Sequence, residues 1–314
     1  MRVFTAVLMI LTFGYAQGID DLIRGPILGY TFGPEVGKID LSMSYVTLSA
    51  NSSFNDDGKE ISYNDDFDGL AEPEISQSAI QFSSDYAISN VLGISISVPF
   101  ITGQSVDWNP ASGYEGYFQN ASGETGLGDL TISAWYQLLK DTKGSMQVAA
   151  GYQLATGSSP EDVGENSFSS TGSGHTSIKA GFAADFIATS SVLFSASSIF
   201  AFNQEAAFSS GGYSWDEKEG NEIVFSGRAS LLASPVLSVG LDFDYFFQGE
   251  GEFDGETIDG SSSNFMSITP MLGYRLISGS TSLSLNGGYI LNIAGKNYPK
   301  LSGMVFGATA FFKN

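Results

Sequence analysis

GETGLGDLTISAWYQLLKDTKGSMQVAAGYQLATG, residues Gly123–Gly157, is the stretch on which the fold turns. From Leu130 to Leu138 the even positions are Leu130, Ile132, Ala134, Tyr136 and Leu138, and Asp129, Thr131, Ser133 and Gln137 stand between them, with Trp135 the exception. After the polar turn Lys140–Gly144 the alternation resumes in Met146, Val148, Ala150, Tyr152 and Leu154. Side chains alternate faces along a strand, so a period of two gives one apolar and one polar face. The unit is a hairpin about ten residues tall, the height of a strand that crosses a bilayer obliquely.

The same rhythm recurs along the chain. Ile39–Tyr45, Ile80–Ile88, Leu92–Phe100, Ile178–Phe186, Val192–Phe202, Ile223–Leu231, Leu237–Tyr245, Met266–Leu276, Leu283–Leu291 and Met304–Phe312 complete a set of twelve strands. Short links, such as Ser89-Asn90 and Ser234-Pro235, alternate with long ones at roughly 49–75, 102–126, 157–174, 203–221, 249–263 and 292–300. An even strand number with links sorted by length predicts an all-β, antiparallel, up-and-down transmembrane barrel. Its short turns face the periplasm and its long links the outside.

Composition narrows the function. The 314 residues include 38 Gly, 24 Phe, 14 Tyr, only 13 Lys plus Arg, and a formal net charge of -21. Nucleic acid is excluded as a partner, because phosphates need a basic footprint. The lack of cysteine removes disulfides and thiolate chemistry. No cofactor is expected. Met1-Arg2, the apolar run Val3–Phe13 and Gly14-Tyr15-Ala16 read as a signal peptide over residues 1–16, too short to span a bilayer. Residues 17–37 follow as a periplasmic lead-in or a luminal plug, and 38–314 as the outer-membrane barrel of a Gram-negative cell.

Two pieces carry a family resemblance. Gly126-Leu127-Gly128-Asp129-Leu130 with the hairpin behind it, and Tyr86–Phe100 ending in Val98-Pro99-Phe100, resemble the meta-pathway phenol-degradation family of outer-membrane proteins. That family is distantly similar to long-chain fatty acid channels. The resemblance implies a channel for passive uptake or efflux of a small hydrophobic or aromatic compound. It also implies outer-membrane lipid, lipopolysaccharide and the barrel assembly machinery as partners.

Parity along the strands selects candidate lumen residues: Asp40, Asp85, Asp129, Trp135, Lys179, Asp185, Arg228, Asp242, Asp244 and Arg275. A lumen built of these with Ser, Ala and Gly between them is expected to hold water. Trp135, Phe246 and Phe247 lie near strand ends, where amphipathic aromatics form an interfacial girdle; a hydrophobic relay for substrate is the alternative. Asn64-x-Asp66-x-Asp68-Gly69 imitates the start of a calcium loop, with Ile75 where the bidentate Glu belongs. Solvated acid is the simpler reading of those loops.

No catalytic residues are expected. His175 is the only histidine, and a lipase-type site needs a serine, a base and an orienting partner. Two other readings stay open: a plugged structural barrel that binds through its acidic external loops, and a membrane-embedded esterase.

Overall fold

The computed structural model describes residues 36–114, 117–159, 161, 169–210, 213–234, 236–278 and 281–312. The expected signal peptide and nearly all of the lead-in lie outside these residues.

Twelve long strands follow the predicted rhythm. They are β1 (Ile39–Ala50), β2 (Glu74–Ala87), β3 (Leu92–Asp107), β4 (Leu130–Lys140), β5 (Gly144–Leu154) and β6 (Ser177–Thr189). Then come β7 (Val192–Asn203), β8 (Glu222–Leu232), β9 (Leu237–Gln248), β10 (Ser263–Ser278), β11 (Thr281–Lys296) and β12 (Ser302–Phe312). Each pairs antiparallel with its neighbour in sequence, and β1 pairs with β12 from Asp40↔Phe311 to Ser49↔Ser302. The sheet is therefore closed. Among the described residues, the twelve long strands leave no sheet edge to expose backbone groups that lipid cannot satisfy.

One seam is irregular. β3 pairs with β4 only between Leu92–Ser97 and Tyr136–Thr131. Above that, Gly126–Leu127 and Ala121–Ser122 take over the pairing, at Ile101↔Gly126 and Val106↔Ala121. Gly128 N donates to Pro99 O at 2.9 Å in between, so the wall continues across the gap.

The outward face carries Leu41, Met43, Phe82, Ile94, Ile132, Phe182, Leu241, Leu272 and Phe306, all exposed as a lipid-facing belt requires. Tyr86, Tyr136 and Tyr274 mark the short-turn end of that belt. A depression of about 410 Å³ on this outer wall, lined by Leu41, Met43, Phe82, Ile96 and Ala308 among others, faces lipid and not the lumen.

The long links carry structure of their own. Strands 52–54, 60–62 and 298–299 form one small sheet, pinned by Lys300 Nζ to Glu60 Oε2 at 2.7 Å. Strands 206–210, 213–218, 252–253 and 256–257 form another, crossed by Lys218–Glu252 at 2.7 Å.

Close approach fixes one glycine at the closing seam. A Cβ on Gly303 would stand 1.8 Å from Thr47 O on β1, whereas one on Gly227 meets nothing within 4 Å. Gly303→Val is expected to block barrel closure, and Gly227→Val to be tolerated. Electrophoresis of unheated samples checks this: the fast-migrating folded band should vanish in the first variant and persist in the second.

Candidate functional site: a two-zone lumen and its loop latch

The inward face of the barrel changes character with height. Toward the short-turn end it is polar. Asp40 and Asp85 stand opposite each other on β1 and β2, and Ser95 donates to Asp85. Across β8 and β9, Arg228 Nε donates to Asp242 Oδ1 at 2.5 Å and Nη2 donates to Oδ2, a two-point guanidinium–carboxylate pair. Asp244 accepts from Ser226 Oγ at 2.6 Å and Ser267 Oγ at 3.5 Å, linking β8, β9 and β10. Asp185 is buried near the short-turn end of β6, whereas Lys179 is buried at the long-link end of the same strand. Arg275 takes the inward parity near the end of β10, where its backbone N donates to Val236 O at 2.8 Å.

Toward the long-link end the inward face is apolar on β1–β3 and β8–β12. Val46, Leu48, Ile75, Ile101, Phe246, Phe265, Ile290 and Val305 are buried as one cluster. Phe265 packs on Tyr298 with ring centroids 4.5 Å apart and on Phe246 at 5.2 Å. At the mouth Phe67, Trp108 and Phe118 continue it, with centroid separations of 5.2, 5.3 and 6.2 Å. The expected polar, water-holding lumen is thus confined to the part toward the short turns. The structure also moves Phe246 and Trp135 away from the girdle. Phe246 belongs to the inner cluster, and Trp135 is buried across Gly93, where any Cβ would overlap its indole.

The missed apolar zone had a signal. In β1 the apolar residues switch parity, from Ile39, Leu41, Met43 and Tyr45 facing out to Val46, Leu48 and Ala50 facing in. In β2 Ile75 and Ala79 face in, and Ile80 and Phe82 follow with outward parity. Outside that upper part lie Ser76, Ser78, Thr102 and Ser105, bonded as Ser76–Ser105 at 2.7 Å and Thr102–Ser78 at 2.9 Å. Strands that rise above the lipid meet water outside, so the apolar side turns inward.

Asp129 has a different position from the one expected of it. It sits in the link before β4, buried, and its Oδ1 accepts from Thr156 N and Gly157 N at 3.0 Å each. Its Oδ2 accepts from Ser173 N and Ser173 Oγ at 2.9 Å each, and from Gln153 Nε2 at 3.4 Å. The Gly126–Leu130 motif is thus a latch that draws three segments together. Gly128, Gly157 and Gly172 allow it, since a Cβ on any of them would come within 3 Å of a neighbour.

His175 completes the latch. It is buried, with Nδ1 3.3 Å from Gln204 O and its ring against Phe208 at 5.2 Å. Burial holds its pKa below the ordinary value, against the opposing pull of the Gln204 carbonyl and Asp129.

The calcium-like segment is a short helical turn, Tyr63–Asp66, with Ser62 as its N-cap. Asp68 and Gly69 close it at φ 52 and 73, so the backbone does not wrap as a calcium loop does. Among the described residues no group of three or more His, Cys, Asp or Glu could hold a metal ion.

With this geometry established, the comparisons with known proteins are specific. The family model of the MetA pathway of phenol degradation matches residues 77–307. The chain belongs to that family. An outer membrane channel from Pseudomonas putida F1 superposes with a TM-score of 0.71 at 14% identity, over 92% of this chain and 99% of that one. The translocator domain of the autotransporter NalP from Neisseria meningitidis gives 0.47 at 9%, over 95% and 93%. The monoaromatic hydrocarbon channel CymD gives 0.41 at 8%, over 89% of each chain. The first shows the barrel fold; the other two are too dissimilar in shape to bear on this chain. No curated protein matches it by sequence. The chain is a closed β-barrel of the outer-membrane type, with the lipid-facing belt that a place in the outer membrane of a Gram-negative cell requires.

Asp129→Ala would leave four donors close around the lost carboxylate, at a cost of about 3 kcal/mol. The variant should keep a heat-modifiable barrel but be clipped within 155–175 by protease added to whole cells. A second outcome concerns pH. A buried imidazole with a lowered folded pKa supports the latch above the ordinary value of 6.5 and weakens it as pH falls below that. Protease clipping should rise as pH drops through this range, and His175→Phe should abolish the dependence.

Proposed function

We propose that this member of the phenol-degradation family is a passive channel for small hydrophobic or aromatic compounds. One observation carries the reading: the outer part of its lumen is lined by a continuous apolar cluster, from Trp108 and Tyr63 at the mouth to Val46 and Val305 within. A hydrophobic constriction resists hydrated ions because stripping their water is costly, while an apolar solute loses nothing by entering. The monoaromatic cargo named for CymD is in keeping with such a lining but does not bear the argument.

Below the cluster, the polar zone gives the solute a wet exit. Arg228–Asp242 and the Ser226–Asp244–Ser267 bridge tie strands together there, and we assign Asp40, Asp85, Asp185 and Arg275 to the lining of this lower chamber, and Lys179 to the lumen wall at the long-link end of β6. Trp135 over Gly93 is assigned to its wall. Asp129 is assigned to loop fixation and not to the passage. Passage is assigned to the concentration gradient alone. The acidic balance of the chain disfavours anions at the mouth.

The test is uptake of a radiolabelled small aromatic hydrocarbon by cells with and without the protein, beside single-channel conductance. Uptake should be faster with the protein, and ion conductance low. Phe265→Asp places a charge in the constriction; it should cut aromatic uptake about tenfold or more while raising ion conductance. Equal uptake with and without the protein would contradict the reading.

A further inference from the structure

The two arginines among the described residues both face the lumen, and the fold treats them differently. Arg228 is locked to Asp242 in a two-point pair. Arg275 is half-buried near the short-turn end of β10, and its guanidinium has no hydrogen bond or ion pair among the described residues. A chain with 34 Asp plus Glu against 13 Lys plus Arg has carboxylates to spare, yet none is built beside this one. Ser284 on β11 lies directly opposite Arg275, and Thr309 on β12 continues the same register. One inward step away from the short turn, Asn286 stands between Gly273 and Gly307, and Ser238 on β9 is the other neighbour of Gly273. These four neutral side chains are each more than nine-tenths buried. The first inward carboxylate on β9 is Asp242, four residues beyond Ser238 and already held by Arg228. Asp40 and Asp85 lie three and four strands away, across β11 and β12.

Two of the neutral groups are unspent as well. Ser284 is 3% exposed with its Oγ unpaired, and Asn286 is 8% exposed with neither amide atom paired. Gly307 makes room for that amide, since a Cβ there would overlap Asn286 Oδ1. A buried polar group left unpaired destabilises a fold, and Ala at 284 or Leu at 286 would avoid that cost. The groups share one bias. A guanidinium carries donors only, and a hydroxyl and an amide NH2 can each add another. Together they form a donor set without an acceptor of matching charge.

We propose that Arg275, Ser284 and Asn286 bind the carboxylate of a small apolar organic acid on the short-turn side of the constriction. The parallel N–H donors of a guanidinium match the two oxygens of a carboxylate. The apolar zone decides which anion can arrive. The Val46–Val305 rung lies two inward steps beyond Ser42, Thr309 and Ser284, about 13 Å along the strands. A phosphate or sulfate stays charged at neutral pH and is stopped there by the cost of losing its water. A carboxylic acid, which ionises near pH ~4, crosses in its neutral form. Below the rung it gives its proton to water, and the carboxylate left behind faces Arg275. The acidic balance of the chain fits this route, because a negative potential repels the carboxylate at the mouth and concentrates protons there. This inference rests on the channel reading above and adds a cargo chemistry to it.

The test is titration of the purified, folded barrel at pH 7 with benzoate and with benzamide, its uncharged counterpart of near-equal shape. The wild type should bind benzoate at least tenfold more tightly than benzamide, the effect of hydrogen bonds to a charged group. Arg275→Gln should remove that margin, and Ser284→Ala should narrow it about fivefold, the effect of one net hydrogen bond. Arg275→Lys serves if the glutamine variant does not fold; it should keep only part of the margin, having lost the two-point contact. Equal affinity for the two compounds in the wild type overturns the proposal, and so does a margin that survives in folded Arg275→Gln. In intact cells, the benzoate uptake that depends on the protein should rise about tenfold for each pH unit from 7 to 5, following the neutral form. Benzoate uptake that ignores pH, with toluene uptake still raised by the protein, overturns the proposal and leaves the channel standing. Toluene uptake equal to that of protein-free cells would overturn the channel reading, and the proposal with it.

Discussion

Within a bilayer every backbone amide must find its partner in the chain itself, and in this protein the pairing of β1 with β12 is what meets that condition. Closure makes the pleat decisive. With no edge left, each strand residue belongs either to the outer wall or to the lumen, and the alternation along the chain becomes a division between two solvents. The glycines at the seam follow from the same constraint. Gly303 brings β12 so close to Thr47 that no side chain fits between them. The lumen inherits its composition from this sorting, so the chemistry of the passage depends on the closure that defines it.

The outer solvent is not uniform, and the height at which it changes shapes the site. Beside lipid, the outward positions are Leu41, Met43 and Phe82, and the lumen opposite them is polar. Above the lipid the outward positions are serines and threonines, and Val46, Leu48, Ile101 and Phe265 turn inward. The hydrophobic effect acts in both zones, with opposite radial direction. A barrel taller than its membrane thereby acquires an apolar mouth above a polar chamber. The loop sheets and the Asp129 latch hold the links in place around that mouth.

The barrel itself was legible from residues such as Leu130–Leu138 and Met146–Leu154, because period two is a local pattern that survives without any knowledge of partners. The charged lumen pairs were half legible. Parity placed Arg228, Asp242 and Asp244 on the inward face, but that Arg228 meets Asp242 and Ser226 meets Asp244 depends on register, which no single strand reveals. Asp129 was singled out for the wrong task. Its four close donors come from Thr156, Gly157 and Ser173, 27 to 44 residues away, and a long-range latch leaves no local signature. The apolar zone was visible as a change of parity at Tyr45-Val46, but reading it required knowing how high the lipid reaches. Trp135 broke the alternation in the hairpin, and that break marked an inward aromatic crossing Gly93.

The central claim is that a hydrophobic compound passes through the apolar cluster on its way across the membrane. Crystals of the protein soaked with bromobenzene test it most directly, because the anomalous signal of bromine reports the solute's position. The account predicts bromine inside the barrel, in contact with Ile101, Phe246 or Phe265. Bromine found only on the lipid-facing wall beside Leu41 and Phe82, with none in the lumen, would contradict it.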